Sequence, residues 1–347
     1  GQYQLYGVRD AALLSNNGLV VANTGSEQLL FFDSAGAFVQ AVGGRGEGPG
    51  EMRGLGQIHA CADTLIAREM RRLSQFTDDG DFVQTLNILR QPSDETLVAQ
   101  AVSADCGRIL VLGARLPSPP FTHGDIARPL YTLFWQDKGG AQRDTLIVTR
   151  GAAGVVMEIM GMMVPHPLPW RSDPAWTATG DGGIVIGDGD SPELHFLNAS
   201  GLTTQIVRWD TGPREVSDAD HRLHERGREA FLRKYPDHGP LLPSLDEIPG
   251  VPTHIPALWK LLSDGSGRIW VQEYPRAAGG RPVEFKALAR SEPSNWLVFE
   301  EDGALVGQLQ FPANTEVLHI DGDRVVVVER DDLDVESVVV YRLQRSS

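Results

Sequence analysis

The amino-acid sequence predicts an all-β fold assembled from repeated four-stranded units. A hairpin pattern recurs six times, a second hairpin follows it in most copies, and the spacing suits four strands per unit. The first pattern is an apolar run, a polar turn rich in Asp, Asn and Gly, and then a β-branched run. Its copies are ALLSNNGLVVA (12–22), IHACADTLIA (58–67), VSADCGRILVL (102–112), TATGDGGIVIG (177–187), LLSDGSGRIWV (261–271) and LHIDGDRVVVV (318–328). Each reads as two antiparallel strands around a tight turn, where Gly, Asn and Asp tolerate the unusual backbone angles.

The second hairpin is seen in LLFFDSAGAFVQAV (29–42), LSQFTDDGDFVQTL (73–86), YTLFWQDKGGAQRDTLIV (131–148), LHFLNASGLTTQIV (194–207) and WLVFEEDGALVGQL (296–309). From Leu19 through Leu65, Ile109, Ile184 and Ile269 to Val325 the steps are 46, 44, 75, 85 and 56 residues. Four strands in units of roughly 40–50 residues are the mark of propeller blades. The prediction is a single six-bladed β-propeller domain spanning 1–347. Its sixth unit ends in SVVVYRLQ (337–344), enough for a third strand only. The N-terminal QYQLYGV (2–8) is expected to supply the outer strand of that last blade and close the ring, removing the open edges.

Two segments stand outside the hairpins. GGRGEGPGEM (43–52) has five glycines, yet it lacks the Gly-Lys-Ser/Thr step into a helix that a phosphate loop needs, so it reads as a connector between units. The longer one, 211–256, is expected to cap one face of the ring. Ser217 with Asp218 and Asp220 reads as a helix start, Arg233 and Lys234 as its last turn and Pro236 as its stop. Leu223, Ala230 and Phe231 form its candidate apolar stripe, and Pro243, Pro249, Pro252 and Pro256 hold the remainder in an ordered loop.

The totals bound the partners. With a formal charge of −15 over 347 residues, the chain lacks the basic face that nucleic acid requires. No run approaches the roughly 18–20 apolar residues of a membrane span. Cys61 and Cys106 fall at one point of neighbouring units and read either as packed thiols or as a disulfide between them. The chain opens on Gly1, so the lack of a signal peptide is uninformative. A secreted or periplasmic bacterial monomer with a small-molecule ligand in the central channel is the expectation.

Sites in a propeller form where inner strands converge. The positions to inspect are Arg9 and Asp10, Gln57 and His59, Gln100, Arg171 with Asp173 and Trp176, His254 and Trp259, and Glu316 with His319. His166 lies close upstream of the fourth inner strand. Asp10, Asp173 and Glu316 are candidate general bases, and Arg9 and Arg171 are guanidinium forks for a carboxylate or phosphate. Trp176 and Trp259, with Gln57 and Gln100, are candidate substrate contacts; the tryptophans could equally pack between blades. His59, His166, His254 and His319 could converge on a divalent metal, zinc or calcium, or stand independently. The acidic run ERDDLDVE (329–336) lacks the glycine of a calcium loop and reads as a solvated turn.

The run VGGRGEGPGEM after FDSAGAFV resembles the blade junction of NHL-type six-bladed propellers, and VVVVERDDLDVESVVVYRL (325–343) is similar to the last blade of a bacterial six-bladed β-propeller family. The resemblance implies the fold across the whole chain. The wider superfamily holds hydrolases, lyases and pure binding modules, so it leaves function open. Its lactonase branch implies a calcium site of Asp or Glu with Asn, and the asparagines are missing at the corresponding positions here. Its amidating-lyase branch implies zinc on repeated Pro-His steps, of which only Pro165-His166 is present. A hydrolase or lyase acting on a small ester, lactone or phosphoester, with or without the help of a metal, is one expectation. A non-catalytic secreted propeller that binds a small ligand, glycan or protein is the other.

Overall fold

The computed structural model describes residues 3–69, 72–86, 96–102, 107–115, 117, 120–139, 142–212, 214–276 and 292–344. Among these residues five antiparallel four-stranded sheets follow one another along the chain, with the strands of every predicted hairpin at their expected places. The first holds β1 (Val8–Leu13), β2 (Leu19–Asn23), β3 (Gln28–Phe32) and β4 (Phe38–Gly43). The second holds β5 (Ile58–Cys61), β6 (Thr64–Arg68), β7 (Leu73–Thr77) and β8 (Phe82–Leu86). In the third, β9 (Thr96–Val102) and β10 (Arg108–Arg115) precede a short β11 (Ile126–Ala127) that pairs elsewhere, and β12 (Leu130–Asp137) and β13 (Gln142–Arg150) complete the sheet. After β14 (Gly154–Ile159) and β15 (Met162–Pro167) comes the fourth: β16 (Ala175–Ala178), β17 (Ile184–Gly187), β18 (Glu193–Leu197) and β19 (Thr203–Arg208). The fifth is β20 (Leu258–Ser263), β21 (Ile269–Glu273), β22 (Ser294–Phe299) and β23 (Leu305–Phe311). A sixth sheet has three strands, β24 (Thr315–Asp321), β25 (Arg324–Arg330) and β26 (Glu336–Arg342).

The turns explain why the hairpins form. Asp33 Oδ1 accepts from the Ala35 and Ala37 amides at 2.9 and 2.8 Å, and Asn198 Oδ1 does the same for Ser200 and Leu202. Asp264 Oδ1 holds Ser266 and Arg268 likewise. One side-chain oxygen therefore replaces two ladder bonds, and a glycine with positive φ, such as Gly267 at +91°, closes the turn.

The core consists of interfaces between consecutive sheets rather than one central mass. Phe31 with Leu65 and Phe76 joins the first to the second; Ile66 with Val111 and Phe134 joins the second to the third; Leu133 with Ile184 joins the third to the fourth. Val185 with Leu258 and Val271 links fourth to fifth, and Trp270 and Trp296 with Val317 and Val325 link fifth to sixth. The sixth returns to the first through Leu318, Val326 and Val328 against Val8, Val21 and Leu30. The buried Trp135 finds a partner for its N–H: its Nε1 donates to Gly182 O in the neighbouring sheet at 2.9 Å.

The closure differs from the expectation that 2–8 adds an outer strand to the last sheet. Among the described residues β26 has no fourth strand beside it. The N-terminal segment is held by the first sheet instead: the Tyr6 amide donates to Asn23 Oδ1 at 2.8 Å, Asn23 Nδ2 donates to Gln4 O, and the Tyr3 ring stacks on Phe38. Near the start of β1 the Val8 amide donates to Glu336 Oε2 at 2.7 Å, while Glu336 Oε1 accepts from Arg330 at 2.7 and 3.1 Å. Both side chains of that ion pair are 8% exposed. The acidic run is thus a turn, with Asp331 accepting from Leu333 and Val335, but its last carboxylate is a seam residue.

Connections between first and second strands, and between third and fourth, run five residues or fewer in every sheet. The alternate connections carry all the long segments: 44–57, 116–129, 151–174, 209–257 and 274–293. In 44–57 Met52 is fully buried, its amide donates to Gly44 O at 2.8 Å, and a Cβ on Gly43 would lie 2.5 Å from Met52 Cε. The loop is a folded connector, as its sequence implies.

The segment 151–174 contributes β14 and β15, which pair with β11 in a three-stranded sheet that the sequence reading missed. In 209–257, helix α1 (Asp218–Lys234) starts at Ser217 with a reciprocal capping box to Asp220, matching the expected start and stop. Its buried side differs from the expected stripe: Asp220, His224 and Gly227 are buried, Leu223 and Phe231 are half-buried, and Ala230 is exposed. Trp170, at positive φ and fully buried, stacks on His221 and meets His224, each at 5.5 Å between ring centres. Asp220 also pairs with Arg276 at 3.1 Å, and Ile248 packs against Val155, Met157 and Leu168. A polar helix is therefore held by ring stacking and an ion pair more than by an apolar stripe.

Cys61 is disulfide-bonded, which decides between the two readings of that residue; Cys106 lies outside the described residues.

The seam makes a quantitative prediction. Glu336→Ala leaves Arg330 buried without its close partner and the Val8 amide without an acceptor, so unfolding in urea should show a loss of about 3–5 kcal/mol. Arg53→Ala, which removes the exposed Arg53–Glu47 pair, should cost less than about 1 kcal/mol.

Candidate functional site

The first strands of the sheets face one another: β1 packs against β5 and β24, β16 against β9 and β20, and β20 against β24. They surround a cavity of about 820 Å³. From β1 come Arg9 and Asp10, from β5 and the residue before it His59 and Gln57, from β20 Trp259 and Lys260, and from β24 Glu316 and His319.

Neighbouring residues of one strand line the cavity, in β1, β20 and β24 across a bulge and in β5 and β16 without one. Val8 pairs with Asn23 and Asp10 with Ala22, so Arg9 is an extra residue opposite no partner. Leu258 pairs with Glu273 and Lys260 with Gln272, which makes Trp259 the extra residue of β20. The same irregularity falls at Leu318 in β24 and at Gln100 in β9. A bulge breaks the two-residue alternation of a strand and turns side chains toward a face that they would otherwise avoid.

The electrostatics follow from enclosure. Burial pushes the Asp10 carboxyl up to about 6, against the opposing pull of the Ile58 amide and the Lys260 charge; Glu316 pushes it further up. Its two oxygens accept from the Ala11 amide at 2.9 Å and the Ile58 amide at 3.0 Å, so it also ties β1 to β5. Burial drives His59 down to about 4, helped by His319 and Arg68. His319 is lowered for the same first reason. Lys260 Nζ donates to Val317 O at 2.8 Å, crossing from β20 to β24. Burial and the neighbouring Arg9 charge both lower Arg68.

The other sequence candidates lie apart from the cavity. His166 is buried in β15, opposite Val155, rather than beside the fourth inner strand. His254 is exposed beside Thr253, in a bridge with Glu215 at the root of the 211–256 segment. Trp176 packs edge-on against Tyr131 between the third and fourth sheets, the structural alternative already named for it. Asp173 accepts from the Ala152 amide at 3.2 Å, and Arg171 is its charge neighbour among residues 151–174. Only the backbone of Gln100 is described. Four histidines therefore do not converge: His59 and His319 share the cavity, and the other two stand elsewhere. Among the described residues no group of three or more His, Cys, Asp or Glu side chains is placed to hold a metal ion. Lys260 was missed, because strict alternation with Trp259 points it away from the channel.

His59 offers a direct check. Its neutral form stabilises the fold above the unfolded value of 6.5, and that contribution is lost as pH falls from 6.5 toward the folded value of about 4. Its imidazole resonances should stay neutral at pH 5.5. His59→Gln should lose about 2 kcal/mol less stability than the parent between pH 7 and pH 5. A titration midpoint near 6.5 would refute the burial argument.

No family profile matches the chain, and no curated protein does. Solved structures do. A member of the DUF4221 family from Bacteroides vulgatus aligns over 99% of this chain and 95% of its own, with a TM-score of 0.54 and 10% identity. Regucalcin, a calcium-binding protein from Agrobacterium tumefaciens, aligns over 96% and 86% with a TM-score of 0.40 and 10% identity. A streptogramin B lyase aligns over 99% and 96%, with a TM-score of 0.42 and 10% identity. At such identity the likeness concerns the fold alone, and the first of the three carries it: the chain has a β-propeller-like architecture.

Proposed function

We propose that the chain is a six-bladed propeller, 1–347, whose central cavity is the site of a hydrolase or lyase acting on a small ester, lactone or phosphoester. The segment 211–256, together with the β11–β14–β15 sheet, caps the end of the cavity where the long connections gather. The packing of Trp259 beneath the cluster of Trp170, Ile255 and Tyr274, while it also lines the cavity, supports that placement.

One observation carries the catalytic reading. Asp10 stands on the cavity wall with its pKa near 6, where a carboxylate is a stronger base than usual yet still ionised at pH 7. In hydrolysis it takes a proton from a water whose oxygen attacks the carbonyl or phosphoryl centre, and the Lys260 ammonium faces the charge that develops. His59 and His319, neutral at pH 7, each offer one donor and one acceptor nitrogen to pass that proton to the leaving oxygen.

The two backbone bonds of Asp10 favour a second reading, in which that carboxylate only joins β1 to β5 and the cavity binds a ligand without turning it over. The bonded Cys61 supports export to an oxidising compartment.

The test is a screen of esters, lactones and phosphoesters with the pH profile of any activity found. As the base form of Asp10 is lost below its pKa, kcat/KM should fall as pH drops through about 6. Asp10→Ala should lower it about 10²-fold or more, and EDTA should leave it unchanged. Activity that survives Asp10→Ala in a folded variant would remove Asp10 from the proton-transfer role, and no turnover of any of these substrates would leave the binding reading.

A further inference from the structure

Arg9 differs from the arginines that the fold pairs closely, including Arg324, the other arginine on the cavity wall among the described residues. Arg72, Arg268, Arg276, Arg324 and Arg330 each meet a carboxylate within 3.1 Å. Arg9 makes no ion pair with a described residue, is exposed, and lines the cavity. Its sequence neighbour Asp10 does not neutralise it, because that carboxylate is turned to the Ala11 and Ile58 amides. The bulge in β1 makes Arg9 the extra residue, and the corresponding bulge in β20 does the same for Trp259. Two inner strands have therefore given up regular pairing, and the residues released are a guanidinium and an indole, both on the cavity wall. A guanidinium fork matches the two oxygens of a carboxylate, and an indole face suits a planar or apolar body. Trp259 is steadied for that task by the edge of Tyr274, with ring centres 5.1 Å apart. Asp10 and Glu316 on the same wall repel an anion from their own positions, which fixes the direction in which an acid can lie.

We propose that the cavity selects small organic acids, the carboxylate docking on Arg9 and the planar or apolar portion lying against Trp259. This inference rests on the cavity being the functional site and names the class of molecule it takes: an ester or lactone that carries a free carboxylate at its far end. Arg9 and Trp259 are then specificity residues, and Asp10 remains the group that handles the proton.

Calorimetric titration of the whole chain at pH 7.5 with unreactive acid–amide pairs tests it without requiring turnover. Phenylacetate, benzoate and indole-3-acetate are compared with phenylacetamide, benzamide and indole-3-acetamide. At least one acid should bind tenfold or more tightly than its amide. Arg9→Gln should abolish that preference, Arg9→Lys should retain part of it, and Trp259→Leu should weaken acid and amide alike. Circular dichroism checks that each variant is folded, as expected for an exposed Arg9. Absence of saturable binding by all three acids overturns the proposal, and so does an acid preference that persists in Arg9→Gln. Arg9-dependent acid binding with no turnover of any ester leaves the proposal standing while the catalytic reading fails. Turnover of neutral esters without acid preference does the reverse.

Discussion

Val8, Glu336 and Arg330 meet where the two ends of the sheet series come together, and the cavity depends on that meeting. A ring of sheets closed only by apolar contact could slide; a carboxylate that accepts from a β1 amide with one oxygen and from a β25 guanidinium with the other cannot. The geometry is specified by two directional bonds in a place that water barely reaches, where an unmade bond costs the most. The apolar face beside it, Val8 and Val21 against Leu318 and Val326, supplies adhesion, while the carboxylate supplies register. Because β1 and β24 both line the cavity, whatever loosens this seam also misplaces Arg9, Asp10 and His319.

The walls of the cavity show a second constraint. A first strand has one edge toward the axis and its side chains toward the adjoining sheets, so a regular strand offers the channel little chemistry. Extra residues in β1, β20 and β24 relieve that limit. Enclosure then sorts the ionisable groups by sign: the carboxyl of Asp10 moves up and the imidazoles of His59 and His319 move down, each toward its neutral form. The result is a lining that sets neutral imidazoles beside charged side chains such as Arg9 and Arg324.

Much of this was legible in the sequence, and the rest was hidden for identifiable reasons. Hairpins were readable because Asp33, Asn198 and Asp264 act on amides two and four residues away, an interaction local enough to leave a pattern. The helix start at Ser217 was readable for the same reason. Closure was not, since Glu336 and Val8 lie at opposite ends of the chain. The β14–β15 hairpin was obscured by Pro165 and Pro167, which argue against a strand unless it is an edge, as β15 is. Lys260 was hidden by parity: a bulge reverses the facing of everything beyond it and leaves no mark in composition. His166 and His254 were misplaced because both lie in long connecting segments, where nearness in sequence to an inner strand says little about nearness to the axis.

The uneven distribution of connections has an evolutionary consequence. At one end the chain reverses in turns of five residues or fewer, several of them closed by their own side chains, so added length there would break a hairpin. At the other end a helix, a small sheet and several loops are accommodated between the sheets. Descendants of this chain can therefore rewrite one end freely while the opposite end remains an inherited chassis. Divergent members of such a lineage would be recognised by their short turns and told apart by what they carry on the far side.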